Sequence, residues 1–178
     1  PLVRDTMEAT MAALQTAFIE CDTVVTSGGV SVGEHDYVKA AFEKLGGSLD
    51  FWKVAVKPGK PFVLGQVGGK PVFGMPGNPV SALVTYLLLV RPALLNMQGA
   101  AEWRLAKRPG CLVDELANKG DRRHFVRVTI DDRGLVLSAG GQRSHMLSSL
   151  AKANALVDLP PKSRWSKGER VEVIPIDQ

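Results

Sequence analysis

Between Thr6 and Ser27 the chain changes its hydrophobic period within a few residues, and that change restricts it to folds in which helices cover a sheet. Met7, Met11, Leu14, Phe18 and Cys21 recur three and four apart, the period of a helix with one buried stripe. Asp5 or Thr6 stands where such a helix needs a cap. Thr23-Val-Val-Thr-Ser27 follows, a β-branched run with polar residues only at its ends, the pattern of a strand covered on both faces of a parallel sheet. A glycine-rich loop, Gly28 to His35, comes next, and Asp36 can open a second helix whose stripe is Tyr37, Ala40, Ala41 and Leu45. Gly46-Gly47 stops it. The class is therefore α/β.

Phe51 to Val56 reads as the next strand. Lys57-Pro-Gly-Lys-Pro61 cannot continue a ladder, because two prolines lack donors and Gly59 is free to turn, so a loop between strands is expected. Phe62 to Val67 and Pro71 to Phe73 flank Gly68-Gly69 as a hairpin. Asn78 then offers a cap with Pro79 at the first helical position, and the helix should run to about Leu95. Its most apolar part, Pro79 to Val90, contains Ser81 and Thr85 and falls short of the roughly 20 residues that span a bilayer. A buried helix and no membrane partner are expected. After Gln98-Gly99 the texture becomes short alternating segments, His124 to Ile130, Leu135 to Leu137, Ala155 to Leu159 and Arg170 to Ile176, with a helical turn or two at Met146 to Lys152. That is a small antiparallel β domain, so the expected domains are residues 1–98 and 99–178.

At 178 residues, roughly 70% of the unfolded chain's surface can be buried, so neither disulfides nor metal clips are required. Cys21 and Cys111 show no metal-type spacing and read as reduced thiols of a cytoplasmic protein. The chain opens at Pro1 with neither an initiator Met nor a signal-peptide pattern, from which a fragment or processed product is expected. The net charge of +4 resides wholly beyond residue 100. Nucleic acid is not expected as a partner, since clustered cations with interleaved aromatics and known modules are lacking.

The loop from Ser27 to Asp36 lies between a strand and a helix, where open α/β sheets bind ligands. Gly28 and Gly33 match the glycines of a P-loop, but Glu34-His35 replaces its Lys-Ser/Thr, and the loop gives no dinucleotide fingerprint. A glycine-lined backbone with Thr26, Ser27 and Ser31 remains, suited to a polar heterocycle or phosphate, or simply to a tight turn. Asp5 and Asp36 stand at helix starts, as caps or as Mg²⁺ ligands beside phosphates. Lys53, Lys57 and Lys60 crowd three cations within eight residues, and the helix opened by Asn78-Pro-Val-Ser81 presents unpaired amides. A tetrahedral oxyanion could sit there, or the lysines are merely solvated. Arg122, Arg123, Arg127, Ser144 and His145 could add donors in the β part, although a solvated basic face is the default reading of these residues.

Three long segments in this order resemble one family. Ser27-Gly-Gly-Val-Ser-Val-Gly-Glu-His-Asp-Tyr-Val-Lys39, Val56-Lys-Pro-Gly-Lys-Pro-Phe62 and Met75-Pro-Gly-Asn-Pro-Val-Ser81 are similar to the molybdopterin molybdenumtransferases, the MoeA proteins and the gephyrin E domain. Arg122-Arg-His-Phe-Val-Arg127, Gln142-Arg-Ser-His-Met-Leu-Ser148 and Ala151-Lys-Ala-Asn154 extend the likeness over nearly the whole chain. The resemblance implies part of a three-layer molybdopterin-binding domain with a mostly parallel sheet, then a small β-barrel-like domain, with the family's N-terminal domains absent. It implies insertion of molybdate into adenylylated molybdopterin with Mg²⁺-dependent release of AMP, in a homodimeric full-length protein.

On that likeness Asp5 and Asp36 would hold Mg²⁺ and, with Lys53, form the catalytic group. Ser27, Gly28, Gly29, Ser31 and Gly33 would cradle the pterin or its phosphate. Lys57, Lys60, Pro61 and Ser81 would bind molybdate, with Arg122 and Ser144 as further oxyanion ligands. The related adenylyltransferase is disfavoured, because its loop reads Thr-Gly-Gly-Thr-Gly where this chain has Ser27-Gly-Gly-Val-Ser. The remaining alternative is a non-catalytic ligand-binding or scaffold piece of the same family, inactive without the missing domains.

Overall fold

The structure, a computed structural model, describes residues 1–30 and 37–177. In chain order the elements are α1 (Met7–Glu20), β1 (Val24–Ser27), α2 (Tyr37–Lys44), β2 (Ser48–Trp52), β3 (Val56–Lys57), β4 (Val63–Val67) and β5 (Lys70–Met75). A helix follows in three parts, α3 (Pro79–Thr85), a π-helical turn at Tyr86–Val90 and α4 (Arg91–Met97). Then come β6 (Arg108–Leu112), β7 (Leu116–Asn118), β8 (Arg123–Ile130), β9 (Leu135–Ser138), α5 (Leu147–Lys152), β10 (Ala155–Leu159), β11 (Ser163–Trp165) and β12 (Arg170–Pro175). Two compact units emerge, Pro1–Val54 with Gly59–Thr85, and Ala55–Pro58 with Tyr86–Gln178.

In the first unit Thr6 caps α1: its Oγ1 accepts from Ala9 N at 3.2 Å. Asp5, the other candidate cap, lies outside the helix. Of the stripe read from the sequence, Met7, Met11, Leu14 and Phe18 pack with Val24, Ala41, Phe42 and Val72, while Cys21, read as its last member, is exposed at the helix end. The sheet runs β1-β5-β4-β2. Its mostly parallel expectation gives way, over the described strands, to a mixed sheet. β1 is parallel to β5, while β4 pairs antiparallel with both β5 and β2. The cause is chain length: the Gly68-Gly69 turn leaves no room for the crossover that a parallel pairing needs.

The expected strand Phe51 to Val56 is corrected. β2 ends at Trp52, Lys53 takes a left-handed φ of 80°, and Val56–Lys57 joins a different sheet. Lys57, assigned to a loop, therefore stands in a short parallel ladder with β8. Gly65 is packed directly against backbone. A Cβ there would lie 2.5 Å from the Ser48 carbonyl oxygen and 2.7 Å from the Phe42 ring. Gly65→Ala should destabilise the chain by about 3 kcal/mol, because backbone cannot retreat as a side chain can. A urea midpoint unchanged from wild type would contradict this packing.

Asn78 caps α3 as expected, Ser81 N donating to its Oδ1 at 3.2 Å. The helical stretch extends past Leu95 to Met97. Its 19 residues have a mean hydropathy of 1.6, long and apolar enough to cross a membrane, and a third of that stretch is buried. The π-helical turn ends at Val90, two residues before Pro92, which has no backbone N–H to donate.

In the second unit β8, β10, β12, β6 and β9 close on themselves as a five-stranded barrel, with β3 added beside β8. The expected antiparallel β domain is thus a barrel with two parallel pairings, β6 with β9 and β3 with β8. Alternate residues point inward: Val126 and Val128 of β8, Ala155, Val157 and Leu159 of β10, and Val171 and Val173 of β12 fill the interior with Leu112 and Val136. Each such aliphatic chain stabilises the barrel by roughly 1.5–3 kcal/mol. The short pair β7 with β11 was not legible in the sequence.

Candidate functional site

The first unit gathers a glycine cradle at the carboxyl ends of β1 and β5. Gly28 and Gly29 take φ of 89° and 69°, conformations that side-chain-bearing residues resist. Gly28 N donates to Met75 O at 3.0 Å, and a Cβ on Gly77 would stand 3.3 Å from the Gly28 Cα. The two loops are therefore held in backbone contact. Thr26 Oγ1, buried beside them, has no hydrogen-bond partner among the described residues, and Ser27 is exposed. Ser31, Gly33 and Asp36 lie outside the described residues. Ser81 is buried, its hydroxyl 3.5 Å from Asn78 Oδ1.

Lys53 and Lys60 are exposed, and their backbones close a turn. Lys53 N donates to Phe62 O at 2.8 Å and Val54 N to Lys60 O at 3.0 Å, with Pro61 half-buried between. The left-handed φ of Lys53 is a strained conformation, of the kind that concentrates at functional sites. Asp5 is exposed. Among the described residues no three His, Cys, Asp or Glu side chains converge on a metal position. The described residues alone therefore do not make a Mg²⁺ site.

The second unit builds a concentrated positive site. β3 lies parallel to β8 with Val56 opposite Arg123 and Lys57 opposite His124, so Lys57 and His124 share one face of the ladder. Arg122 spans the same junction, its Nη1 donating to Val56 O at 3.0 Å. Its backbone is fixed in turn by the buried Asn118, whose Nδ2 donates to Arg122 O at 2.8 Å and to Pro160 O at 2.9 Å. On the opposite face of β8, Arg123 forms a bidentate pair with Asp158 at 2.8 and 2.9 Å. The carboxylate is thereby spent away from the cluster.

Arg127 is fully buried, and no carboxylate pairs with it among the described residues. Its Nε donates to Ser149 Oγ at 2.9 Å, and its Nη2 to Gly141 O at 2.9 Å and Arg143 O at 3.1 Å. Gln142 completes the clamp, accepting from Arg127 N and donating to Arg127 O, both at 2.9 Å. The segment carrying the exposed Ser144 is thus tied to β8 through the Arg127 guanidinium and the Gln142 amide together. Burial shifts Arg127 toward its neutral form.

His124 reports the resulting field. It is 5% exposed, and its Nε2 is buried without a hydrogen-bond partner among the described residues. Its pKa is pushed down to about 4, first by burial and then by the charges of Lys57, Arg127 and Arg122. Among the described residues none of these three cations forms an ion pair. Unpaired like charges around a buried imidazole are costly, and an anion relieves that cost. Elsewhere in this unit a cleft of about 400 Å³ is lined by Arg108, Ile130, Asp131 and Asp177. Asp131 is already occupied there, its Oδ1 accepting from Arg133 N and Leu135 N.

Of the residues named from the sequence, Lys57 and Arg122 are brought together, and the Gly28 and Asn78 loops are too. His124 and Asn118 are not assigned to a site by the sequence, and Arg127 is named there only as a possible further donor. His124 and Arg127 lie within the quoted Arg-Arg-His-Phe-Val-Arg segment, but only the strand pairing shows which face each occupies.

Known proteins match this picture. Residues 1–96 match a family described as a probable molybdopterin binding domain, and residues 110–176 a family described as the MoeA C-terminal region (domain IV). A molybdopterin molybdenumtransferase of Haemophilus influenzae is 40% identical over 176 residues, which cover 93% of this chain and 43% of the relative. A molybdopterin molybdenumtransferase 2 of Mycobacterium tuberculosis is 39% identical over 155 residues, covering 84% of this chain and 38% of the relative. A solved molybdopterin biosynthesis MoeA protein from Pyrococcus horikosii has a TM-score of 0.79 and 32% identity over 98% of this chain and 42% of its own. The chain thus spans about two fifths of the length of these relatives. Because the first match alone covers more than half of its residues, the chain belongs to the molybdopterin-binding domain family of molybdenum cofactor biosynthesis, continued by a MoeA C-terminal region.

Proposed function

We propose that the chain is the substrate-holding part of a molybdopterin molybdenumtransferase, which inserts molybdate into adenylylated molybdopterin and releases AMP. The observation that carries this reading is the pair of cations, Lys57 and Arg122, unpaired among the described residues, at the β3–β8 junction beside the buried His124. Both molybdate and the pterin dithiolate are negative, so cations fixed in advance lower the cost of bringing them together. Lys57 and Arg122 bind the oxyanion in the second unit. Ser144 adds a hydroxyl, held in place through Arg127. In the first unit Ser27, Gly28 and Gly29, with Ser31 and Gly33, are assigned to the pterin or its phosphate, Gly28 through the close approach of its backbone and Ser27 through its exposed hydroxyl. Lys53, Lys60, Pro61 and Ser81 are assigned to substrate binding there.

The functional domains in this reading are residues 1–98 and 99–178. Asp5 and Asp36 are the residues assigned to hold magnesium, which would offset charge on the phosphoanhydride. The full-length protein is a homodimer of the cytoplasm, consistent with the exposed Leu2, Ile19 and Phe51 of the first unit and with two free cysteines.

The test is calorimetric titration of the chain with molybdate. Lys57→Ala combined with Arg122→Ala should weaken binding by at least about 100-fold, as expected from losing two charge-assisted contacts. Binding undiminished in the double variant refutes the assignment.

A further inference from the structure

The buried imidazole of His124 has no place in the binding scheme above. It stands opposite Lys57 in the β3–β8 register and opposite Leu159 in the β8–β10 register, at the end of the barrel interior. The charged groups on its side of the ladder are Lys57 from β3 and Arg122 just ahead of β8, while Arg127, on the opposite face of β8, acts on it only through its charge. β10 contributes only Asp158 nearby, and its carboxylate is bound by Arg123 on the other face. With burial and three cations against it, the ring is neutral in the free chain at neutral pH. Its Nε2 is buried and has no hydrogen-bond partner among the described residues.

We propose that His124 is a proton-linked ligand of the oxyanion: when a tetrahedral dianion is held by Lys57 and Arg122, the imidazole takes one proton from solvent and donates it to the anion in a hydrogen bond. The proposal rests on the oxyanion reading of this cluster and adds a residue and a proton to it. The physical argument is charge balance. Two negative charges beside the ring reverse the potential that keeps it neutral, and the newly protonated imidazole then supplies a charge-assisted hydrogen bond. No covalent bond changes, and the proton comes from the buffer.

The experiment is titration of the 178-residue chain with sodium molybdate at pH 6.5, in two buffers of different ionisation enthalpy. An upward shift of about 2–3 pKa units on binding gives an uptake of roughly half a proton per molybdate at that pH, vanishing by about pH 8.5. In His124→Gln the uptake disappears and molybdate binds about 10-fold more weakly, for the loss of one charge-assisted contact. Imidazole ¹⁵N resonances of the wild type, followed through pH with and without molybdate, give the same answer should that variant fold poorly. Molybdate bound with no proton uptake, or uptake unchanged in His124→Gln, overturns the role of His124 and leaves the oxyanion site standing. No binding by folded wild type overturns the oxyanion reading, and this proposal with it.

Discussion

Replacing Arg127 with Met should cost the chain about 3 kcal/mol in urea unfolding and open the segment 139–146 to proteolysis. The side chain is fully buried and supplies three hydrogen bonds, two of them to the carbonyls of Gly141 and Arg143. Met fills a similar volume but forms none of the three bonds, and each hydrogen bond lost from a charged donor is worth about 1.5–3 kcal/mol. Relief of a buried, unpaired charge offsets part of the loss, which keeps the expected figure below the sum. Arg127→Lys should recover less than half of it, since one ammonium cannot reproduce a planar fork that reaches two carbonyls and the Ser149 hydroxyl at once. A Met variant within about 1 kcal/mol of wild type, with the segment still resistant, would show that Gln142 alone holds the loop.

The second large effect is on the pH dependence of stability. In the folded chain His124 holds its proton only below about pH 4, against an ordinary value of 6.5. Between these two values the unfolded chain binds more proton than the folded one, so stability falls as the pH drops from about 6.5 to about 4. The total loss from this residue is roughly 3 kcal/mol, and outside that window the residue contributes no slope. His124→Gln removes it. The wild-type and variant curves of unfolding free energy against pH should therefore converge on acidification. Parallel curves from pH 7 to pH 4 would mean that the imidazole is not held neutral by its surroundings.

Much of the first unit was legible because its signals are local. The α1 stripe, the Gly68-Gly69 hairpin and the Asn78-Pro79 helix start each depend on residues a few positions apart, and all three formed, the stripe as far as Phe18. β3 was misread because its two residues owe their strand character to β8, far along the chain, and not to their neighbours. The Lys-Pro-Gly-Lys-Pro segment carries every mark of a loop, and the pairing overrides it. β6 was invisible for a similar reason, since Arg108-Pro-Gly-Cys-Leu112 lacks alternation and takes its place from Val136 and Val171 on either side.

The site divides in the same way. Glycines with left-handed φ and a capped helix start can be read from residue type, and Gly28, Gly29 and Asn78 were. The convergence of Lys57, Arg122 and His124 was only half visible, because the lysine and the arginine could be named while the ladder that aligns them could not. The burial of His124 and Arg127 follows from barrel closure, which no local pattern encodes. Arg127 looked like one more surface cation in a basic segment, and the structure makes it, together with Gln142, the tie between β8 and the Ser144 segment.

The central claim is that the cations beside His124 hold a tetrahedral oxyanion. The most direct measurement is anomalous scattering from crystals of the chain soaked in tungstate, a heavier oxyanion of the same shape and charge. The account predicts a single strong tungsten peak within hydrogen-bonding reach of Lys57 Nζ, the Arg122 guanidinium and His124 Nε2, lost in Lys57→Ala combined with Arg122→Ala. A peak elsewhere, or none at saturating tungstate, would contradict it.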